Sequence, residues 1–250
     1  MKITHILYTT MENTGSLRDR LTIIIPSKNE GKTLYDCIYH ISKQKGIFNT
    51  RIIIADVSDK KESLQWIEKI KVNFKTTPLN IQVIKGGYPS QGRLAGSLLV
   101  KTPYMLFLDA DIFLTNPKTL IECTRYKKDL VTVPFYTDKP YRWVFRVFDI
   151  FQKISTYIGT PFAVGGFQLW KTETYWILGG YNPEELFAED YSISQKVHKD
   201  NFRVHKIKGT YTSSRRFKNK GVLWMFKIMI KSYINRNNPE FFKHHHNYWN

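Results

Sequence analysis

The sequence predicts an α/β fold with a mostly parallel central sheet flanked by helices, and three observations carry that reading. Short β-branched or apolar runs recur through the first half of the chain, at residues 21–26, 51–55, 81–84 and 104–108. The first three are each followed by a polar loop and then by a helical stretch, the alternation expected of parallel strands joined by helical crossovers. Polar residues collect where the strands end, at Asn29, Glu30, Asp56, Lys85 and Asp109. That is the edge at which such sheets bind ligands.

Leu21-Thr22-Ile23-Ile24-Ile25-Pro26 reads as a buried parallel strand stopped by proline. A polar loop follows, and then Leu34, Cys37, Ile38 and Ile41 recur at helical spacing. Ile52-Ile53-Ile54-Ala55 runs into Asp56-Val57-Ser58-Asp59 and a helix with a Leu64, Ile67 and Ile70 stripe. The third strand precedes Gly86-Gly87 and a helix over 92–100, and the fourth ends at Asp109. Beyond Asp111 the alternation fades. Val131-Thr132-Val133-Pro134 reads as a strand, and 141–158 as an amphipathic helix whose Val144, Val147, Phe148, Phe151, Ile154 and Ile158 are expected to face the core. With no repeat or linker, the expected organisation is a catalytic domain over 1–216, with residues 1–20 as lead-in, and a basic, aromatic helix and tail over 217–250.

A chain of 250 residues that is 42% hydrophobic can bury a large core, which excludes a disordered chain. Its formal charge of +17 is concentrated: residues 196–250 hold 13 Lys and Arg against 2 Asp and Glu. The partner should be anionic, as nucleotide phosphates, an acidic membrane surface and nucleic acid all are. Cys37 and Cys123 stand far apart in no metal spacing and read as buried thiols of a reducing compartment. The first 20 residues do not have the pattern of a signal peptide, and the apolar stretch 222–234 is cut by Lys227 and Lys231 and too short to cross a bilayer. The expectation is a cytoplasmic protein, peripheral on a membrane face, with neither signal peptide nor transmembrane helix.

Leu108-Asp109-Ala110-Asp111 ends an apolar strand on two carboxylates. Residues two apart on a strand share a side, so the pair can converge on a hard divalent cation, Mg²⁺ or Mn²⁺, whose remaining positions suit nucleotide phosphates. Alone, Asp-x-Asp is better explained by a solvated turn or a helix cap. Ile23-Ile24-Ile25-Pro26-Ser27-Lys28-Asn29-Glu30, then Asp56, Arg93, Asp109-Ala110-Asp111, Gly179-Gly180 and Ala188-Glu189-Asp190 form an ordered set. Over about residues 20–216 this set resembles the family 2 glycosyltransferases of the nucleotide-sugar-binding GT-A fold.

The resemblance implies transfer of a sugar from a UDP- or GDP-linked donor to an acceptor hydroxyl, with inversion, and with Mn²⁺ or Mg²⁺ on the diphosphate. By position it implies Pro26, Asn29 and Glu30 around base and ribose, Asp56 on the base edge and Arg93 near the donor. It implies Asp111 and Asp109 at the metal, Asp109 also toward ribose or metal-bound water, Asp190 as the base with Glu189 supporting it, and Arg215 and Arg216 over the diphosphate. The turn Asp56-Val57-Ser58-Asp59 is shorter than the family commonly has, so UDP and GDP both stay open.

Each of these residues also has an ordinary structural reading. Asn29 and Glu30 suit helix capping, Glu189 and Asp190 suit a helix N-terminus, Arg93 a surface position, and Arg215 and Arg216 a solvated loop. Gly165-Gly166 and Gly179-Gly180 flank Phe167, Trp170 and Trp176, which read either as a sugar-stacking wall or as core. His198, His205 and His244-His245-His246 receive no role. In the tail, Leu223, Trp224, Phe226, Ile230 and Tyr233 alternate with Lys220, Lys227, Lys231 and Arg236. This suits an interfacial helix on an anionic bilayer, and equally a helix packed on the catalytic domain. The acceptor is then a glycan or a lipid-linked group. The alternatives are a metal-dependent nucleotidyltransferase, which needs no base at Asp190, and a basic nucleic-acid-binding protein, disfavoured because carboxylates on the ligand edge repel phosphates.

Overall fold

The computed structural model describes residues 16–75 and 79–248; the expected lead-in falls outside them up to residue 15. In chain order the elements are β1 (Leu21–Ser27), α1 (Lys32–Ser42), β2 (Thr50–Asp56), α2 (Lys61–Asn73), β3 (Leu79–Lys85), α3 (Pro89–Ser97), β4 (Tyr104–Leu108), β5 (Ile112–Leu114), α4 (Thr119–Cys123) and β6 (Leu130–Thr132). They continue with α5 (Arg142–Tyr157), β7 (Phe167–Lys171), α6 (Thr172–Ile177), α7 (Glu189–Ser194), β8 (Phe202–Val204), β9 (Thr210–Thr212), α8 (Arg215–Lys220), α9 (Val222–Ile234) and α10 (Pro239–Phe242). The central sheet has the order β3-β2-β1-β4-β7-β6-β8, and β5 pairs with β9 in a small separate ribbon. β3, β2, β1 and β4 are mutually parallel; β7 runs antiparallel to both β4 and β6.

Strand alternation divides the buried residues between two faces. Ile23, Ile25, Ile52, Ile54, Leu106 and Leu108 join the Leu34, Cys37, Ile38 and Ile41 stripe of α1. Ile24, Ile53, Met105 and Phe107 face the other way, onto Trp170, Tyr175 and Tyr181. On that second face α3 comes close enough that a Cβ at Gly96 would fall 2.4 Å from Ile24 Cγ2. α3 starts three residues earlier than its apolar pattern implies, because Pro89 occupies the first turn and the Tyr88 N–H donates to Gln91 Oε1 (3.1 Å). Both cysteines are free and buried, and burial pushes their thiol pKa values up.

Two findings depart from the sequence reading. β7, a central strand, is not apparent from the pattern, because Gln168 interrupts its apolar run. Gln168 is fully buried but satisfied, donating to the Ala163 carbonyl (2.7 Å) and accepting from Trp170 Nε1 and Tyr181 Oη. The second concerns α5, whose stripe does not face the core. Of its six apolar residues only Val144 is buried, while Phe151, Ile154 and Ile158 are exposed. The helix packs through Phe148 onto Phe217 and Phe226, beside α9, and leaves the rest of its apolar face uncovered.

Candidate active site

β4 ends at Leu108, so Asp109 and Asp111 are brought together by a turn and not by strand alternation; the Ile112 N–H closes that turn onto the Asp109 carbonyl (3.1 Å). The ribbon β5–β9 pairs Ile112 with Thr212 and so delivers Arg215 and Arg216, three and four residues further on, to the same place. The second acidic pair comes from α7. Ala188, just before it, holds a left-handed conformation (φ 47°, ψ 33°) that a non-glycine residue adopts only when its surroundings impose it. This reversal starts the helix on Glu189 and Asp190 inside the site.

Arg93 joins the two pairs. It is 3% exposed, lies within α3, donates from Nη2 to Asp109 Oδ1 (2.6 Å) and from Nη1 to Glu189 Oε1, and has its guanidinium 5.5 Å from the Tyr181 ring centre. The surface reading of Arg93 therefore fails: its charge is spent on two carboxylates. Asp190 accepts from the Gly165 N–H (2.6 Å) and from the Tyr191 N–H (2.8 Å). A Cβ at Gly165 would meet Arg93 Nη2 at 2.8 Å and Asp190 Oδ2 at 3.2 Å, so a larger residue there would displace the guanidinium. Burial, reinforced by the Glu189 charge and opposed by Arg93, pushes the Asp190 pKa up to about 7. Burial, with Asp109 and Glu30 adding to it and Arg216 and Arg215 opposing, pushes Asp111 up to about 6.

One cavity of about 440 Å³ is walled by Arg93, Asp109, Asp111, Glu189, Asp190, Arg215 and Arg216 at one end and by apolar side chains of α5 and α9 at the other. Glu30 adjoins it through an ion pair with Arg215 (3.0 Å). Pro26, Asn29 and Asp56 do not line it; they stand at the ends of β1 and β2. The Asn29 amide does not cap α1, which starts after Gly31 with no side-chain cap. It ties the β1 loop to the β2 loop, accepting from the Asp59 and Lys60 N–H groups (both 3.1 Å) and donating to Asp59 Oδ1 (2.8 Å). Asp56 accepts from the Ser58 hydroxyl (2.8 Å) and N–H (3.1 Å).

Phe167 and Trp170 are core residues, and Trp176 packs on Tyr175; none of the three lines the cavity. The aromatic lining instead includes Phe148 of the amphipathic stripe together with Phe145, Phe162 and Phe187, which no motif marked. Tyr248, also unmarked, lies against Arg216, accepting from its Nη1 (2.5 Å) with the guanidinium 4.4 Å from its ring centre. Among the described residues no three His, Cys, Asp or Glu side chains cluster as a metal site.

A model described as glycosyl transferase family 2 matches residues 22–177, more than half of the chain. The chain belongs to that family. No curated protein sequence matches this family 2 chain. Among solved structures it is similar to S. aureus TarS 1-349 in complex with UDP (15% identity, TM-score 0.58, covering 78% of this chain and 60% of that one). It is also similar to the mannosyltransferase PcManGT from Pyrobaculum calidifontis in complex with GDP-Man and Mn²⁺ (14%, TM-score 0.63, 90% and 71%). A third is GalNAc-T7 with UDP, GalNAc and Mn²⁺ (15%, TM-score 0.51, 77% and 44%). These likenesses establish the GT-A fold. The family 2 chain spans less than two thirds of the TarS fragment's length.

Proposed function

We propose that the chain transfers a sugar from a UDP- or GDP-linked donor to an acceptor hydroxyl in a single inverting displacement. The observation that carries this reading is the convergence, around buried Arg93, of the Asp109-Asp111 turn and the Glu189-Asp190 helix start in one cavity at the carboxyl ends of the strands. Asp190 takes the hydroxyl proton as the oxygen bonds to the anomeric carbon, and the nucleoside diphosphate departs with the electrons of the broken bond. A base with a pKa near 7 is matched to that task at neutral pH. Glu189 holds Arg93 beside it, and Arg215 and Arg216 offer cations to the diphosphate. Pro26, Glu30 and Asp56 stand at the strand ends assigned to base and ribose, and Asn29 ties the β1 and β2 loops together there.

The residues present fit a divalent cation. Asp111 is a half-buried carboxyl pressed by the charges of Asp109 and Glu30, a hard-oxygen set whose mutual repulsion a cation relieves. Asp111 and the free oxygen of Asp109 would hold Mn²⁺ or Mg²⁺, leaving its other positions to phosphate oxygens and water, and the ion would neutralise charge on the leaving diphosphate. The Mn²⁺ in PcManGT and GalNAc-T7 supports this assignment. Thermal shift with UDP- and GDP-sugars, with and without Mn²⁺, tests it: Mn²⁺ should raise the donor-induced shift in wild type and not in Asp111→Asn. An equal Mn²⁺ effect in both proteins removes Asp111 from the metal site.

The same reading divides the chain into a catalytic part, 1–216, and a membrane-facing part, 217–250, to which α5 contributes. Among the described residues no helix is long and apolar enough to cross a membrane. Peripheral binding is supported by exposed apolar side chains on both helices, Trp143, Ile150 and Tyr157 on α5 and Leu223 and Ile234 on α9, next to exposed Arg142, Arg146, Lys227 and Lys231. Trp224 is not among these anchors, since it stacks on Tyr248. Wild type should co-sediment with anionic vesicles at low salt, and an Ile150→Glu, Leu223→Glu, Ile234→Glu variant should stay in the supernatant. Identical pelleting of the two proteins would sink the membrane assignment.

A further inference from the structure

The cavity that holds Asp190 changes chemistry along its length. Beyond the charged end it runs between α5 and α9, where Phe148, Phe151, Ile154, Phe226, Met229 and Ile230 form its walls. Its volume of about 440 Å³ lies within the range of small-molecule sites, ~300–1,000 Å³. A glycan entering this end would give up water from its hydroxyls and find almost nothing to replace it, a cost hydrocarbon does not carry. The two serines of this end are already committed. Ser232 donates to the Ile228 carbonyl (2.8 Å), and Ser155 donates to the Gln152 carbonyl (2.8 Å) while accepting from the Phe162 N–H (3.1 Å).

Two lining groups are exceptions. The buried Tyr191 hydroxyl has no hydrogen-bond partner among the described residues, and neither does the amide nitrogen of Gln152, which is 2% exposed. A buried donor left unsatisfied costs about 1–3 kcal/mol, so one here points to a ligand acceptor atom. The groove opens through an apolar mouth, since its lining residues Phe151, Ile154, Ile158 and Ile230 are exposed, and the same two helices carry the four cations already named, which suit an anionic bilayer.

We propose that the acceptor is a membrane amphiphile whose hydrocarbon chain lies between α5 and α9, whose polar neck accepts a hydrogen bond from Gln152 and whose terminal hydroxyl reaches Asp190. On the transferase reading, which this assignment presupposes, the hydroxyl oxygen bonds to the anomeric carbon, its proton passes to Asp190, and the nucleoside diphosphate leaves. Chain length then contributes to acceptor recognition, and the soluble part of an acceptor is read only near its hydroxyl.

The probe is n-dodecyl β-maltoside carrying a diazirine either at the chain end or on the sugar, used on the full chain below its micelle-forming concentration, with labelled peptides identified by mass spectrometry. The chain-end probe should label residues within 142–158 and 222–234, and the sugar-borne probe residues within 162–166 or 187–191. Unlabelled dodecyl maltoside should compete and maltose should not. Met229→Trp, which fills the groove, should reduce labelling at least about 10-fold, the scale of losing two buried methylenes; Ile154→Trp does the same from the facing wall if the first variant melts early. Reversed orientation, labelling scattered over the surface, or undiminished labelling in a folded groove variant overturns the amphiphile. Donor binding, read separately by thermal shift, keeps the two ideas apart. Groove labelling without any nucleotide-sugar shift defeats the transferase reading, whereas a shift without groove labelling defeats only the amphiphile.

Discussion

Asp190→Asn is expected to lower transfer by about 100- to 10,000-fold, the range for losing a general base, with donor affinity retained. The substitution is nearly isosteric, and the amide oxygen can still accept from the Gly165 N–H, so the side chain keeps one of its two backbone hydrogen bonds, the one from the Tyr191 N–H being lost, while proton acceptance is abolished. Because the pKa of this carboxyl is pushed up to about 7, wild-type kcat/KM should fall as pH drops below neutrality, and the variant's residual rate should lose that limb. The linked stability effect has the opposite sense. A carboxyl whose folded pKa exceeds its unfolded value binds more protons in the native state, so its contribution to stability declines as pH rises from about 4 to about 7. The stability deficit of Asp190→Asn relative to wild type should therefore shrink as pH rises through that window. Transfer within a factor of a few of wild type would assign the base elsewhere.

The second large effect falls on the fold. Arg93→Met is expected to destabilise the protein by about 3–5 kcal/mol, because it strands the buried Glu189 carboxylate and frees Asp109 from its partner. Losing one member of a buried ion cluster costs more than replacing the whole cluster. Adding Glu189→Gln to Arg93→Met should therefore recover part of the loss, and denaturant titration of the two single variants and the double variant measures that coupling. A cost of under about 1 kcal/mol for Arg93→Met would mean that the two carboxylates are stabilised by something other than this arginine.

The half-sheet β3-β2-β1-β4 is legible in the sequence because parallel strands buried on both faces, as β1, β2 and β4 are, must be apolar throughout, and the half-exposed edge strand β3 still keeps Ile81, Val83 and Ile84 at the next helical interval. The acids of the site are legible as an ordered set, but their convergence is not. It depends on a turn after Leu108, a left-handed Ala188 and the long-range pairing of Ile112 with Thr212, none of which periodicity encodes. β7 stays hidden because a satisfied buried glutamine is indistinguishable in sequence from an exposed one. α5 gives the clearest lesson. Its period correctly identifies the apolar side, but period alone cannot say whether that side meets the core, a groove or solvent. Gln152, Gly165 and Tyr248 acquire meaning only from neighbours distant in the chain.

The uncovered face of α5 also bears on how copies of the protein behave toward one another. Hydrophobic surface such as Tyr157, 86% exposed, and Leu223, 78% exposed, would draw two molecules together in water, yet each carries a charge of +17, and like charges hold them apart. That repulsion is long-ranged only in dilute electrolyte, since the screening length shrinks to about 10 Å at 0.1 M salt and ~3 Å at 1 M. Raising ionic strength therefore removes the force that disperses the protein and leaves its exposed apolar residues free to bring copies together.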